Sequence, residues 1–269
     1  MDHRNYTEEN RTAWNAVADQ HKEMRWDIVL QQLTDPDNSP FEQVALDHFA
    51  DIGLEGKDVV QLCCNNGREV LSLKKLGAGR CVGIDISDKF VQQGRDLAAA
   101  SGLAGEFIRA DIMDIPSELD GQFDIVLITI GALNWIPDIK ALFRSCAKLL
   151  GPGGHLYIHE MHPILWMLEP DRDTELLYSY FMTEVFSEDN PLNYYGGEDY
   201  DAPVNHAFQA TLGDIISAVI EAGLALRHFQ EYAQDICTNF PHLENQPAQL
   251  PLSYTLIAEN AGSKTARRS

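Results

Sequence analysis

Positive charge is scarce in this chain. Lys and Arg total 20 of 269 residues against 41 Asp and Glu, a formal net charge of −21. That excess repels phosphate backbones and anionic membrane surfaces, which argues against nucleic acid and lipid headgroups as partners. Long apolar runs are missing too, and none approaches the roughly 20 residues that cross a bilayer. Met1-Asp2-His3-Arg4-Asn5 leads into no apolar stretch of the secretory kind. Cysteine is limited to five residues, Cys63, Cys64, Cys81, Cys146 and Cys237. The number is odd, two are adjacent, and no spacing fits a disulfide framework or a zinc site. Reduced thiols in a cytoplasmic protein are the expectation. Internal repeats are absent, and residues 261–269 read as a disordered tail.

Hydrophobic residues make up 45% of the chain, enough for a sizeable core. Tyr6 to about Leu33 is helical by the spacing of Trp14, Val17, Ala18 and His21, with Thr7 as its N-cap. A breaker at Thr34–Pro40 separates it from a short helix over Phe41–Phe49. From Asp58 the pattern alternates. Strands are expected at Asp58–Cys63, Arg80–Ile84, Glu106–Arg109, Phe123–Ile128 and His155–His159. Helices are expected at Gly67–Leu76, from Ser87 to about Ser101, and at Ile139–Leu150. Strands without polar alternation, separated by helices, imply a parallel sheet covered on both faces, with the strands' carboxyl ends on one edge. Residues 161–206 are aromatic, acidic and irregular, and read as a cap over that edge or a plain covering insertion. A helix over Thr211–Ala222 and strands at Ala225–Tyr232 and Leu252–Ala258 follow, and their loop from Asp235 to Pro251 is placed to close over the same edge.

The turn after the first strand is poor in glycine. It runs Gln61-Leu62-Cys63-Cys64-Asn65-Asn66-Gly67, where a nucleotide-binding loop would carry several glycines. Asn tolerates a left-handed backbone best among the other residues, so Asn65 or Asn66 can stand in. Backbone amides at the following helix start attract a carboxylate or phosphate. Asp85, at the end of the second strand, suits two ribose hydroxyls. Asp111 and Ile112, after the third, suit the edge and face of an adenine, or form a surface turn. Asn134 and Trp135 follow the fourth strand near where a reacting atom would sit, unless Trp135 is core. His159, Glu160 and His162 end the fifth strand as candidate general bases, unless His159 and His162 form a turn held by hydrogen bonds around Pro163. The helical HExxH arrangement is absent, so no metal is expected. Tyr194, Tyr195 and His206 are further acceptor contacts, from a cap that suits a flat or cationic molecule.

These segments resemble the class I S-adenosylmethionine-dependent methyltransferases, through Val-Val-Gln-Leu-Cys-Cys-Asn-Asn-Gly, Gly-Ile-Asp-Ile-Ser, Ala-Asp-Ile and Leu-Leu-Gly-Pro-Gly-Gly-His-Leu. The similarity is strong over Lys57–Glu160 and weaker outside it, where it points to a small-molecule branch. It implies an α/β fold, a doubly wound, seven-stranded, mostly parallel Rossmann-like sheet. The implied division is a helical lid (1–52), a cofactor core (53–160), a cap (161–206) and a C-terminal helix and hairpin (207–260). It further implies S-adenosyl-L-methionine as cofactor and O-, N- or C-methylation of a small molecule. The turn of Cys63, Asn65, Asn66 and Gly67 would cradle the methionine part. Asp85 with Ile86 would take the ribose, Asp111 with Ile112 the adenine, and Ile130 the carbonyl side. The N-terminal helix would cover the cofactor through Tyr6, Trp14 and His21. Gln61 stands where the family has an acid, and Cys63 and Asn65 where it has glycines. Rival readings are a cofactor binder without transfer activity and a nicotinamide-dependent oxidoreductase. A homodimer is compatible with all of these.

Overall fold

The computed structural model describes residues 3–169 and 175–262; most of the tail expected to be disordered, residues 263–269, lies outside them. Two helices lead the chain, α1 (Arg4–Thr34) and α2 (Gln43–Ile52). The alternating core follows as β1 (Val59–Leu62), α3 (Arg68–Lys75), β2 (Cys81–Asp85), α4 (Asp88–Ser101), β3 (Glu106–Arg109), β4 (Phe123–Thr129), α5 (Ile139–Leu149) and β5 (Leu150–Met161). A two-stranded ribbon, β6 (Phe186–Glu188) and β7 (Asn205–Ala207), precedes α6 (Leu212–Glu221), β8 (Ala225–Tyr232) and β9 (Ser253–Glu259). The main sheet has seven strands in the order β3-β2-β1-β4-β5-β9-β8. The first five are parallel, and β9 runs antiparallel to both its neighbours. Strand order reverses between β1 and β4, where an open α/β sheet leaves a crevice at the carboxyl ends. Among the described residues, no helix is long and apolar enough to cross a membrane.

Period-two side-chain alternation sends each strand's residues to two separate cores. Val60, Val82, Val126 and Leu156 meet α5 and α6 through Phe143, Leu149, Ile215 and Val219. Val59, Cys81, Ile125 and Tyr157 meet the other helices through Leu33, Phe49, Leu71 and Leu97. Three local expectations are corrected. α1 starts at Arg4, so Thr7 lies inside its first turn and gives its hydroxyl to the Arg4 carbonyl instead of capping. The helix before the Gly151–Gly154 segment stops at Leu149, and Leu150 already pairs with Phe123 in the sheet. The 161–206 region contains the β6–β7 ribbon, too short to leave a periodic signal.

Two contacts set the geometry of the carboxyl edge. The ring of Phe107 on β3 occupies space that side chains would otherwise fill: a Cβ on Gly94 of α4 would lie 2.5 Å from it, and one on Gly83 of β2 2.8 Å. A mid-helix glycine, unfavourable by itself, is thus the residue that lets α4 settle on the sheet. The second contact is Glu160, near the end of β5. Its carboxylate accepts the N–H groups of Gly131, Ala132 (2.9 Å), Leu133 (3.3 Å) and Met161 (2.9 Å), which fastens the loop after β4 to β5.

Gly94→Ala should destabilise the protein by about 1–2 kcal/mol, because overpacking outweighs the roughly 1 kcal/mol gained in helix propensity. In a Phe107→Ala background the same change should become stabilising, a sign reversal that a double-mutant cycle in urea would read. Glu160→Gln turns an amide donor toward backbone donors and should cost about 3 kcal/mol, seen as a lower urea midpoint at unchanged m.

Candidate active site

A cavity of about 670 Å³ opens at the carboxyl ends of β1, β2 and β4. The turn after β1 forms one wall. It passes through left-handed conformations at Cys63 (φ 52), Asn65 (φ 50) and Gly67 (φ 76). Asn65 takes a glycine's part as expected, and so does Cys63, at a cost of roughly 1–3 kcal/mol that the surroundings must offset. Asn66 keeps an ordinary backbone and uses its side chain instead, accepting the Arg68 N–H at 3.3 Å. Gln61 is buried, donating to Thr129 Oγ1 (3.0 Å) and accepting from the Val70 N–H (3.1 Å). The glutamine therefore ties β1 to β4 and α3.

Asp85 ends β2 against this turn. Its two oxygens accept the Asn65 N–H (2.8 Å) and the Ser87 N–H (2.9 Å). Burial raises its carboxyl to about 6, although those hydrogen bonds and one from Ile86 pull the other way. Ile86 lines the cavity beside it, and Asp111, Ile112 and Met113 continue the wall after β3. Asp111 accepts the Met113 N–H at 2.9 Å, which fixes its side chain.

The opposite walls are aromatic. Trp14 of α1, Ile130, Asn134 and Trp135 after β4, and Tyr194 and Tyr195 all border the cavity. Trp14 meets Trp135 edge-on with ring centroids 5.0 Å apart. His21 donates Nε2–H to the Leu192 carbonyl at 2.8 Å and packs on both tyrosines, joining α1 to the segment that carries them. Burial lowers its imidazole below the usual range, so it is neutral near pH 7.

Several expected contacts are turned elsewhere. His159, Glu160 and His162 do not border the cavity. Glu160 is spent on four backbone amides. His159 lies edge-on to Tyr232 on the sheet face that carries Tyr157, and burial lowers it to about 4, too weak a base near neutrality. His162 caps the turn at Pro163 by accepting the Ile164 N–H, and its Nε2 meets Glu231 at 3.0 Å. The alternative of a turn held by hydrogen bonds around Pro163 fits His162, whereas His159 packs on the face of the sheet. Tyr6, His206 and Gly67 also stand outside the lining. Tyr6 packs on His206. His206 exchanges backbone hydrogen bonds with the Asn10 side chain (2.7 and 2.9 Å) and links Glu9 to Ser187, so it docks α1 onto the ribbon.

Sequence reasoning missed many lining residues, Arg25, Arg68, Glu69, Trp166 and Phe240 among them. Arg68 and Glu69 directly follow Gly67 in the most informative motif, so their position was available. Phe240 comes from the loop after β8 that was placed at this edge. Asp235 builds that loop by accepting the N–H groups of Cys237 (3.0 Å) and Phe240 (2.6 Å). Trp166 lies in the aromatic stretch read as a cap over this edge, whereas nothing in local patterning marks Arg25.

Residues 59–154 match a family model described as a methyltransferase domain. A ubiquinone biosynthesis O-methyltransferase of Proteus mirabilis is 27% identical over 154 residues, covering 54% of this chain and 62% of that protein. The chain thus spans less than two thirds of that relative's length. Among solved structures, an S-adenosylmethionine-dependent methyltransferase from Mesorhizobium loti aligns with a TM-score of 0.57 and 24% identity, over 79% of this chain and 96% of that one. One from Clostridium acetobutylicum aligns with a TM-score of 0.59 and 15% identity, over 93% and 99%. The centre of the chain thus matches a methyltransferase domain, and its fold is shared with solved S-adenosylmethionine-dependent methyltransferases.

Proposed function

We propose that this protein transfers a methyl group from S-adenosyl-L-methionine to a small apolar or aromatic acceptor. The observation that carries this reading is the pairing of Asp85 and Asp111 on successive strand ends in one cavity, each followed by an apolar wall residue. Asp85 offers a carboxylate to ribose hydroxyls, and Ile86, Ile112 and Met113 offer a surface to a purine. The donor set therefore fits the cofactor. When bound, its sulfonium supplies an activated methyl group, so the protein's tasks are positioning and exclusion of water. Trp14, Trp135, Trp166, Tyr195 and Phe240 wall off the remaining space and favour a flat, apolar acceptor. In this reading residues 1–52 act as a lid held by His21 and Asn10, and residues 161–206 act as the cap. No base from the end of β5 takes part.

Calorimetric titration with S-adenosylhomocysteine tests the reading, and binding of NADH in its place would favour the oxidoreductase rival. Asp85→Ala should weaken S-adenosylhomocysteine about a hundredfold, as two charge-assisted hydrogen bonds are lost; unchanged affinity would sink the assignment. The pH dependence has a definite sign. The folded protein holds the Asp85 proton up to about pH 6, whereas an unfolded aspartate releases it near 3.8. This group's contribution to stability therefore falls as pH rises between those values. Ribose hydroxyls donate to the ionised form, so affinity should strengthen toward tenfold per pH unit up to about pH 6 and level off above. Asp85→Asn should remove that slope.

A further inference from the structure

The turn that borders the cavity has few amides left to offer. The N–H groups of Cys64, Asn65, Asn66 and Gly67 are taken by Ile84 O (3.1 Å), Asp85 Oδ2 (2.8 Å), Asn65 Oδ1 (2.8 Å) and Cys64 O (2.8 Å). Those of Arg68 and Val70 are taken by Asn66 Oδ1 (3.3 Å) and Gln61 Oε1 (3.1 Å). The expectation that backbone amides here hold an anionic group is corrected for these six, because neighbouring side chains and carbonyls already take them. Gln61, in the place of an acid, is likewise spent on Val70 and Thr129. These six amides leave no anion clamp among them, and Gln61 supplies no negative charge from β1.

Both functions are present one step further on. Arg68 and Glu69 open α3 and line the cavity, with side chains only 22% and 15% exposed. Arg68 Nε donates to Glu69 Oε1 at 2.8 Å, and an Nη of Arg68 shares that same oxygen. Among the described residues, the second oxygen of Glu69 and the second Nη of Arg68 have no hydrogen-bond partner. A buried ion pair that uses one oxygen and leaves matching groups free on both sides is complementary to a ligand carrying a carboxylate and an ammonium together. The cavity's other carboxylates, Asp85 and Asp111, belong to the ends of β2 and β3 and already hold backbone amides.

We propose that the Arg68–Glu69 pair is the α-amino-acid anchor of this cavity, Arg68 taking the carboxylate and Glu69 the ammonium of the cofactor's methionine end. This rests on the reading of the cavity as a cofactor site. It assigns to a helix side chain the negative charge that Gln61 does not supply from β1.

The test compares two nucleosides by calorimetry: S-adenosylhomocysteine, and 5′-methylthioadenosine, which keeps the adenosine and sulfur but lacks the amino-acid end. Arg68→Met and Glu69→Gln should each weaken S-adenosylhomocysteine tenfold to a hundredfold, the loss of one charge-assisted contact. Both should leave 5′-methylthioadenosine within about twofold of wild type, which also shows that the cavity is intact. Variants that bind S-adenosylhomocysteine as wild type does, or that lose both nucleosides alike, overturn the anchor while leaving the cofactor site standing. A wild-type protein that binds neither nucleoside overturns the functional reading and the anchor with it.

Discussion

Four residues, Val59–Leu62, are buried along their whole length and hydrogen-bonded to parallel neighbours on both sides. The site hangs from this strand. With β2 on one edge and β4 on the other, the chain leaving Leu62 must turn sharply upward at the point where strand order reverses. Gln61 then reaches the α3 backbone and Thr129, and Asp85 reaches the Asn65 N–H. These side-chain bonds support the left-handed steps at Cys63 and Asn65, which a glycine-rich loop would make without help. The loop is stiffened by polar contacts where glycine would have left it free, and its amides are used up in the process.

That trade shifts the site's electrostatics from backbone to side chains. Asp85 combines burial with a structural duty toward the loop, so its ionisation couples the loop to whatever the cavity binds. Glu160 shows the opposite division: a carboxylate at the carboxyl edge that only holds backbone. The N-terminal helix follows the same economy, with α1 docked by the Asn10 amide against His206 and by His21 against Leu192. Asn10, Glu160 and His206 are buried and paired, as low-dielectric surroundings require.

The sheet and its helices were legible because their signals are local. Apolar strand runs, the Ser87 cap and the Thr211 helix start all describe segments that fold as their own residues prefer. Asp85, Asp111 and their apolar neighbours were legible for a related reason: a position at a strand's carboxyl end follows from the strand itself. His159, Glu160 and His162 misled because strand-end position does not say what lies opposite. The sheet presents His159 to Tyr232 and Glu160 to the loop after β4, and neither faces the cavity. The same limit hid Arg25, Trp166 and Phe240, which reach the cavity from segments remote in sequence.

The sequence by itself determined a doubly covered parallel sheet, the edge that carries the site, and the acids placed on that edge. These depend on periodicity and chain direction, which each segment carries within it. Only the tertiary structure decided which hydrogen-bonding groups were already satisfied. Gln61, the Asn65 amide and Glu160 are each matched by partners 9 to 68 residues away, and such pairings form only when strands and helices meet. The chemistry left for a ligand is what remains after that matching, which is why Arg68 and Glu69 emerged from the fold and not from the motif that contains them.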